Sequence, residues 1–234
     1  MGISIIEAVR KAGVVGAGGA GFPTHIKMAA RAGCVICNAA ECEPLLRADQ
    51  QVLPHFVDEV VRGLKLVMES TGAGSGVIAI KAKHRDVVQT LTGHLPGDGK
   101  IAVVLLDDFY PAGDEHVLVH EVLGKTVPEG GIPPDAGVVV QNVQTLLNVT
   151  RAVDEEVPVT EKWVTINGAV KKPLTVNLPI GTPIREALQL AGGPPPDRSA
   201  GFGLIEGGPM MGKAVADLSA PITKATGGLI VLPA

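Results

Sequence analysis

The chain has 234 residues, 46% hydrophobic and 19% charged, enough apolar material for a buried core and too much for a disordered chain. Its net charge of −4 and the lack of any basic block argue against nucleic acid as the main partner. No apolar run approaches the ~20 residues that span a bilayer, and Glu7, Arg10 and Lys11 interrupt any leader-like stretch, so the three cysteines read as reduced, cytoplasmic thiols.

Aromatic residues make up only 3%, so Val, Leu, Ile and Ala must build the core. The first feature along the chain is "GVVGAGGAGFPTHIK", residues 13–27. Glycine loses more conformational freedom on folding than any other residue, so a loop this rich in it brings its backbone close to something. Pro23 suits the first turn of a helix, predicted to run through "PTHIKMAARAG" to Gly33. A loop that opens onto a helix start favours an anion, and Lys27 adds positive charge. The spacing is not a P-loop, and no apolar strand precedes Gly16 as a dinucleotide fingerprint requires. The glycines alone fit a tight, closely packed turn as well as a cradle. Phe22, directly after them, favours a cradle, because an aromatic ring there can stack on a base or flavin.

Four short apolar runs, "CVICNAA" (34–40), "GVIAIKA" (76–82), "KIAVVLLD" (100–107) and "GVVVQNV" (137–143), read as buried strands. Helical patterns separate them at 55–69, 84–91, 114–124 and 145–153. This alternation predicts an α/β fold with a mostly parallel sheet. Ligands of such sheets sit at the carboxyl ends of strands. Three polar segments fall there: "NAAECEP" with Asn38, Glu41 and Glu43, "YPAGDE" with Tyr110, Gly113 and Glu115, and "QNVQT" with Asn142 and Thr145. In extended backbone Glu41 and Glu43 point the same way. Taken with the glycine loop, these segments predict one nucleotide site.

Other pairs carry blander readings. Cys34 and Cys37 stand three apart in a strand, so they face opposite sides, and with Cys42 they cannot complete a four-thiolate site. His116 and His120 have zinc-compatible helical spacing but lack a His-Glu-x-x-His pattern, and a solvated helix face is expected. No metal ligand is therefore assigned.

A charged, proline-containing hinge at 153–162 divides residues 1–155 from 156–234. Strand-like runs at 162–170 and 174–180, a helix at 183–193 with Pro183 near its first position, and a final apolar run at 224–234 predict a small β-grasp-like domain. Met210 and Met211 in "GGPMMG" are expected to fill gaps at the domain interface. The abrupt apolar ending suggests that the natural protein continues.

In this order, "GAGGAGFPTHIK", "NAAECEP", "YPAGDE" and "NVQT" resemble the flavin- and NADH-binding subunit family of respiratory complex I. The similarity extends to C subunits of Rnf electron-transport complexes and to cobalamin (corrinoid) reductases of propanediol-utilisation microcompartments. It continues through "WVTINGAV", "EGGPMMG" and "KATGGLIVLPA", covering essentially the whole chain. The resemblance implies a Rossmann-like FMN- and NADH-binding domain followed by a soluble-ligand-binding β-grasp domain. It places Gly16, Gly18, Gly19, Ala20 and Gly21 along the flavin and its phosphate. Phe22 would stack on the dinucleotide, and Lys27, Asn38, Asn142 and Thr145 would make polar contacts to the flavin. Glu41, Glu43 and Glu115 would lie near flavin or nicotinamide, with Tyr110 and Gly113 completing the second loop.

Two positions depart from the complex I pattern: Ala17 replaces an arginine and Gln144 a glutamate. The family's cysteine-rich segment with two 4Fe–4S clusters would follow residue 234. The implied activity is NADH-dependent flavin reduction delivering electrons to cobalamin, with NADH and a corrinoid or corrinoid-handling enzyme as partners and homo-oligomerisation left open. The implied location is the cytoplasm or a microcompartment within it. An Rnf-type C subunit and a non-enzymatic corrinoid- or partner-binding module are the alternative readings.

Overall fold

The computed structural model describes residues 3–193 and 201–233. Its first half is a four-stranded parallel sheet in the order β3-β2-β1-β4, formed by β1 (Cys34–Ala39), β2 (Ser75–Lys81), β3 (Ile101–Leu106) and β4 (Val138–Asn142). The helices are α1 (Ile5–Lys11), α2 (Thr24–Met28), α3 (Ala48–His55), α4 (Val57–Thr71), α5 (Arg85–His94), α6 (Glu115–Leu123) and α7 (Val143–Asp154). They cover both faces of the sheet, which is why its strands read as unbroken apolar runs. Cys37 packs on one side with Leu64 of α4 and Leu146 of α7, whereas Cys34 packs on the other with Leu118 of α6. The opposed cysteines follow from strand pleating. Helices α4 and α7 approach so closely at Gly63 that a Cβ there would collide with the Leu146 carbonyl.

The second half is a five-stranded mixed sheet, β6-β5-β9-β7-β8. It comprises β5 (Glu161–Gly168), β6 (Leu174–Pro179), β7 (Gly203–Glu206), β8 (Lys213–Ala214) and β9 (Gly228–Leu232), with α8 (Ile184–Leu190) packed on it. β5 and β6 form an antiparallel hairpin, and β9 lies beside β5 in parallel. Val164, Ile166, Leu188, Leu204 and Leu229 form its core. This is a β-grasp arrangement.

The two sheets are joined by specific bonds. Val159 N–H donates to the Ala12 carbonyl, Arg47 N–H to Thr165 Oγ1, and Lys224 Nζ to the Gly13 carbonyl. Among the described residues no helix is long and apolar enough to cross a membrane.

The fold corrects four expectations. The helix after the glycine loop ends at Met28 instead of continuing to Gly33. The chain must enter β1 at Cys34, and Ala32 and Gly33 bond to the carbonyls of Thr71 and Gly137 on the way. Pro23 is a helix cap, not the first helical residue, whereas Pro183 caps α8 directly before its first residue, as expected. Met210 and Met211 are 54% and 77% exposed and fill no gap, because the tight turn at Gly207 and Gly212 pushes them outward. Two helices also lack a predicted counterpart, α1 and α3.

Candidate functional site

The glycine segment closes on itself. Gly16 N–H donates to the Phe22 carbonyl at 2.8 Å, and Gly21 N–H to the Gly16 carbonyl at 3.2 Å. Gly19 has φ +116° and Gly21 φ +65°, conformations that side chains disfavour. Gly18, Gly19 and Ala20 are exposed, and a Cβ on Gly19 would meet open space. The tip is therefore bare backbone, whereas the root at Ala17 is buried. Ala17 N–H donates to Thr145 Oγ1 at 2.9 Å.

Asn142 sits beside Gly18 and caps α7, its Oδ1 accepting from Gln144 N–H at 2.9 Å. Its Nδ2 donates to Asp49 Oδ2. Thr145 is fully buried, so the structure has it grip the loop from beneath.

The neighbouring strand ends reach the same edge. Asn38 Nδ2 donates to the Gly113 carbonyl at 2.8 Å, and Asn38 Oδ1 accepts from Ala40 N–H. A Cβ on Gly113 would press on Cys42 Sγ, so this loop packs tightly on "NAAECEP". Lys27 Nζ pairs with Glu115 Oε1 at 2.5 Å, donates to the Val140 carbonyl, and lies 5.8 Å from the Phe22 ring centre. Phe22 and Tyr110 are both partly exposed at the rim. Desolvation and the nearby Glu43 carboxylate raise the Tyr110 phenol above its ordinary value. The glycine loop thus meets the end of β4, Lys27 meets "YPAGDE", and the end of β1 meets Gly113.

The two glutamates separate. Glu41 has φ +34°, which breaks the extended geometry that would align it with Glu43. Its carboxylate turns inward and accepts the N–H groups of Asp49 and Gln50 at the start of α3. Glu41 is therefore a half-buried cap whose carboxyl group faces inward, not a rim residue. Burial first, then the Asp49 charge, raises its pKa to about 8. Glu43 instead crosses to the β-grasp sheet, Oε2 accepting from Met210 N–H at 3.0 Å. A Cβ on Gly208 would collide with its carboxylate. Its Oε1 is buried and has no partner.

Spacing alone does not reveal three further residues. Asp49, Gln144 and Lys162 form a buried polar network under the loop. One signal exists for Lys162: it alternates in phase with Val164 and Ile166, an inward position where lysine needs partners. Beside Gly21, the junction with the β-grasp sheet opens an apolar groove of about 430 Å3, with Val15, Ile180 and Pro221 in its walls. His116 and His120 are exposed on α6.

A cradle of bare glycine backbone, a lysine at its rim and an unpaired buried carboxylate oxygen suit a ligand that carries an anion and a hydrogen-bonding ring. Residues 9–151 match the Nuo51 FMN-binding domain family. The chain belongs to that family. The Nuo51 FMN-binding domain contains every candidate residue named for the loop and the strand ends, and residues 163–214 match the SLBB domain. Cobalamin reductase PduS of Salmonella typhimurium is 51% identical over 229 residues, covering 98% of this chain and 50% of that protein. The C subunit of the Na+-translocating ferredoxin:NAD+ oxidoreductase complex of Acetobacterium woodii is 37% identical, covering 98% of this chain and 52% of that protein. The chain spans about half the length of the curated relatives it matches. The fold is also that of a chain in the NAD+-reducing nickel–iron hydrogenase in its H2-reduced state, with TM-score 0.81 at 23% identity, covering 98% of this chain and 46% of that one.

Proposed function

We propose that this chain is the FMN-binding, NADH-oxidising part of a cobalamin reductase. The observation that carries the reading is the bare backbone cradle at Gly18 to Ala20, in a chain half identical to a cobalamin reductase along nearly its whole length. When bound, FMN would supply hydride acceptance from NADH and single-electron release toward a corrinoid. The protein's task is then to hold two rings in contact, which requires positioning rather than a general acid or base.

All the candidate residues but the inward-turned Glu41 have a place in that task. Gly18, Gly19 and Ala20 offer bare backbone to the flavin phosphate, and Gly16 and Gly21, whose N–H groups close the loop, shape the cradle. Thr145 fixes the loop from below, Asn142 packs beside Gly18, and Asn38 fixes Gly113 at the neighbouring strand end. Lys27 brings positive charge to the rim, its position set by Glu115. Phe22 and Tyr110 offer exposed rings for stacking. Glu43 offers Oε1 to a carboxamide N–H of the nicotinamide. NADH and a corrinoid, free or held by another enzyme, are the proposed partners, and a microcompartment is the proposed setting.

The second reading, the C subunit of an ion-translocating ferredoxin:NAD+ oxidoreductase, rests on the relative at 37% identity. Anaerobic addition of NADH to the FMN-loaded chain tests the first step. Loss of the oxidised-flavin absorbance supports an NADH-oxidising flavin site. A bound flavin that NADH leaves oxidised removes that activity from the reading.

A further inference from the structure

A buried ammonium joins the two sheets directly beneath the glycine loop. Lys162 of β5 is only 3% exposed, and its Nζ donates to the Ala17 carbonyl at 2.7 Å and to Gln144 Oε1 at 3.0 Å. Gln144 Nε2 donates in turn to Asp49 Oδ1 at 3.0 Å. The Ala17 N–H is already held by Thr145 on α7. The root of the loop is therefore fixed on one side by the parallel sheet's last helix and on the other by the mixed sheet. Desolvating a cation is costly unless its hydrogen bonds and a counter-charge offset the cost. Here a carbonyl, an amide oxygen and the nearby Asp49 do so.

We propose that Lys162 is a positioning residue of the flavin site: supplied by the mixed sheet, it fixes the root of the glycine loop and places a positive charge beneath the anion that the loop holds. This rests on the flavin reading, although one arm of the test does not. Burial lowers the Lys162 pKa to about 8, and Asp49 and Glu41 oppose that shift. Asp49 lies on α3 and Glu41 just before it, whereas α7 presents the uncharged Gln144 and the loop presents a backbone carbonyl. Gln144 also lines a cavity of about 40 Å3 with Arg151, Glu161, Trp163 and Asn177. Trp163 Nε1 and Asn177 Oδ1, both among its lining residues, have no protein partner. A polar cavity of that size admits water, so protons can reach the cluster without unfolding.

The ligand-free arm is amide hydrogen exchange over residues 17–21 in wild type, Lys162→Met and Lys162→Gln. The variants should exchange there about tenfold faster, with protection in β1 and β4 retained. The second arm is FMN affinity by fluorescence titration, which Lys162→Met should weaken by about tenfold or more. Wild-type affinity should fall as pH rises through about 8, where the ammonium loses its proton. The phosphate's own second ionisation, near pH ~6, lies below that window. Because Glu41 titrates in the same window, the comparison is made in a Glu41→Gln background: there Lys162→Met should abolish the pH dependence, and Asp49→Asn should move its midpoint to lower pH, because the Asp49 carboxylate raises the lysine. A purely structural lysine would not move that midpoint. Unchanged loop exchange together with unchanged FMN affinity in Lys162→Met overturns the proposal. If neither variant folds, wild-type affinity that stays flat from about pH 7 to 9 overturns it. A wild type that takes up no FMN defeats the flavin reading, and the exchange arm still decides whether Lys162 holds the loop.

Discussion

The parallel and mixed sheets contribute to the candidate site in opposite ways. The parallel sheet gives it breadth: a glycine loop, the carboxyl ends of β1 and β4, and the segment after β3, all on one edge. The mixed-sheet domain gives it points of attachment: the Lys162 ammonium under the loop, the Lys224 ammonium on the Gly13 carbonyl, and the Met210 N–H against Glu43. A parallel sheet collects loops because every strand ends at the same edge. A loop that precedes its first strand needs holding from elsewhere, and Thr145 of α7 supplies one of those holds. The glycine loop is such a segment, and the second domain closes it from below.

If the parallel sheet's loop carries the ligand, the largest single effect belongs to Gly19. Gly19→Val puts a branched side chain into the open space and a disfavoured φ of +116°. FMN affinity should fall about 100-fold, equivalent to ~2.7 kcal/mol. Gly93→Ala on α5 is the control: its Cβ would meet nothing within 4 Å at an ordinary φ, and affinity should change by less than about threefold. Equal losses in both variants would mean that the tip of the loop has no special role.

The attachment at Glu43 predicts a smaller and more selective effect. Glu43→Gln keeps an acceptor for Met210 N–H but removes the charge from the unpaired Oε1. A charge-assisted hydrogen bond exceeds a neutral one by about 1 kcal/mol or more, so NADH should bind roughly tenfold more weakly. FMN affinity should hold. If flavin binding collapses and NADH binding persists, Glu43 serves the flavin.

How much of this is legible in the sequence depends on how local the cause is. The four parallel strands are readable because each is buried on both faces, and the helix at Val57–Thr71 because its apolar residues fall on one side. Helix α3 is not readable: it contains Pro54 and places Asp49 among its buried residues, so it shows no apolar stripe. The inward turn of Glu41 depends on a positive φ that no neighbouring glycine announces. Lys162 and Ala17 lie 145 residues apart, and nothing in their spacing couples them. Its phase with Val164 marks it as a buried lysine needing partners, but not which partners.

Glu41 supplies a prediction about stability instead of binding. Its folded-state pKa is about 8 against an ordinary 4.5, so the folded chain holds a proton that the unfolded chain releases between those values. Its contribution to stability is therefore full below about pH 4.5 and is lost as pH rises toward 8. Glu41→Gln should flatten that part of the melting-temperature profile. A slope identical to wild type would mean that Glu41 ionises normally inside the fold.

The most direct test of the glycine loop as a flavin-phosphate cradle is a paired calorimetric titration of the chain with FMN and with riboflavin, which lacks the phosphate. The account predicts saturable binding of one FMN per chain and riboflavin affinity weaker by at least about tenfold, the loss of one charge-assisted contact set. Equal affinities for the two, or no saturable binding of either, would contradict it.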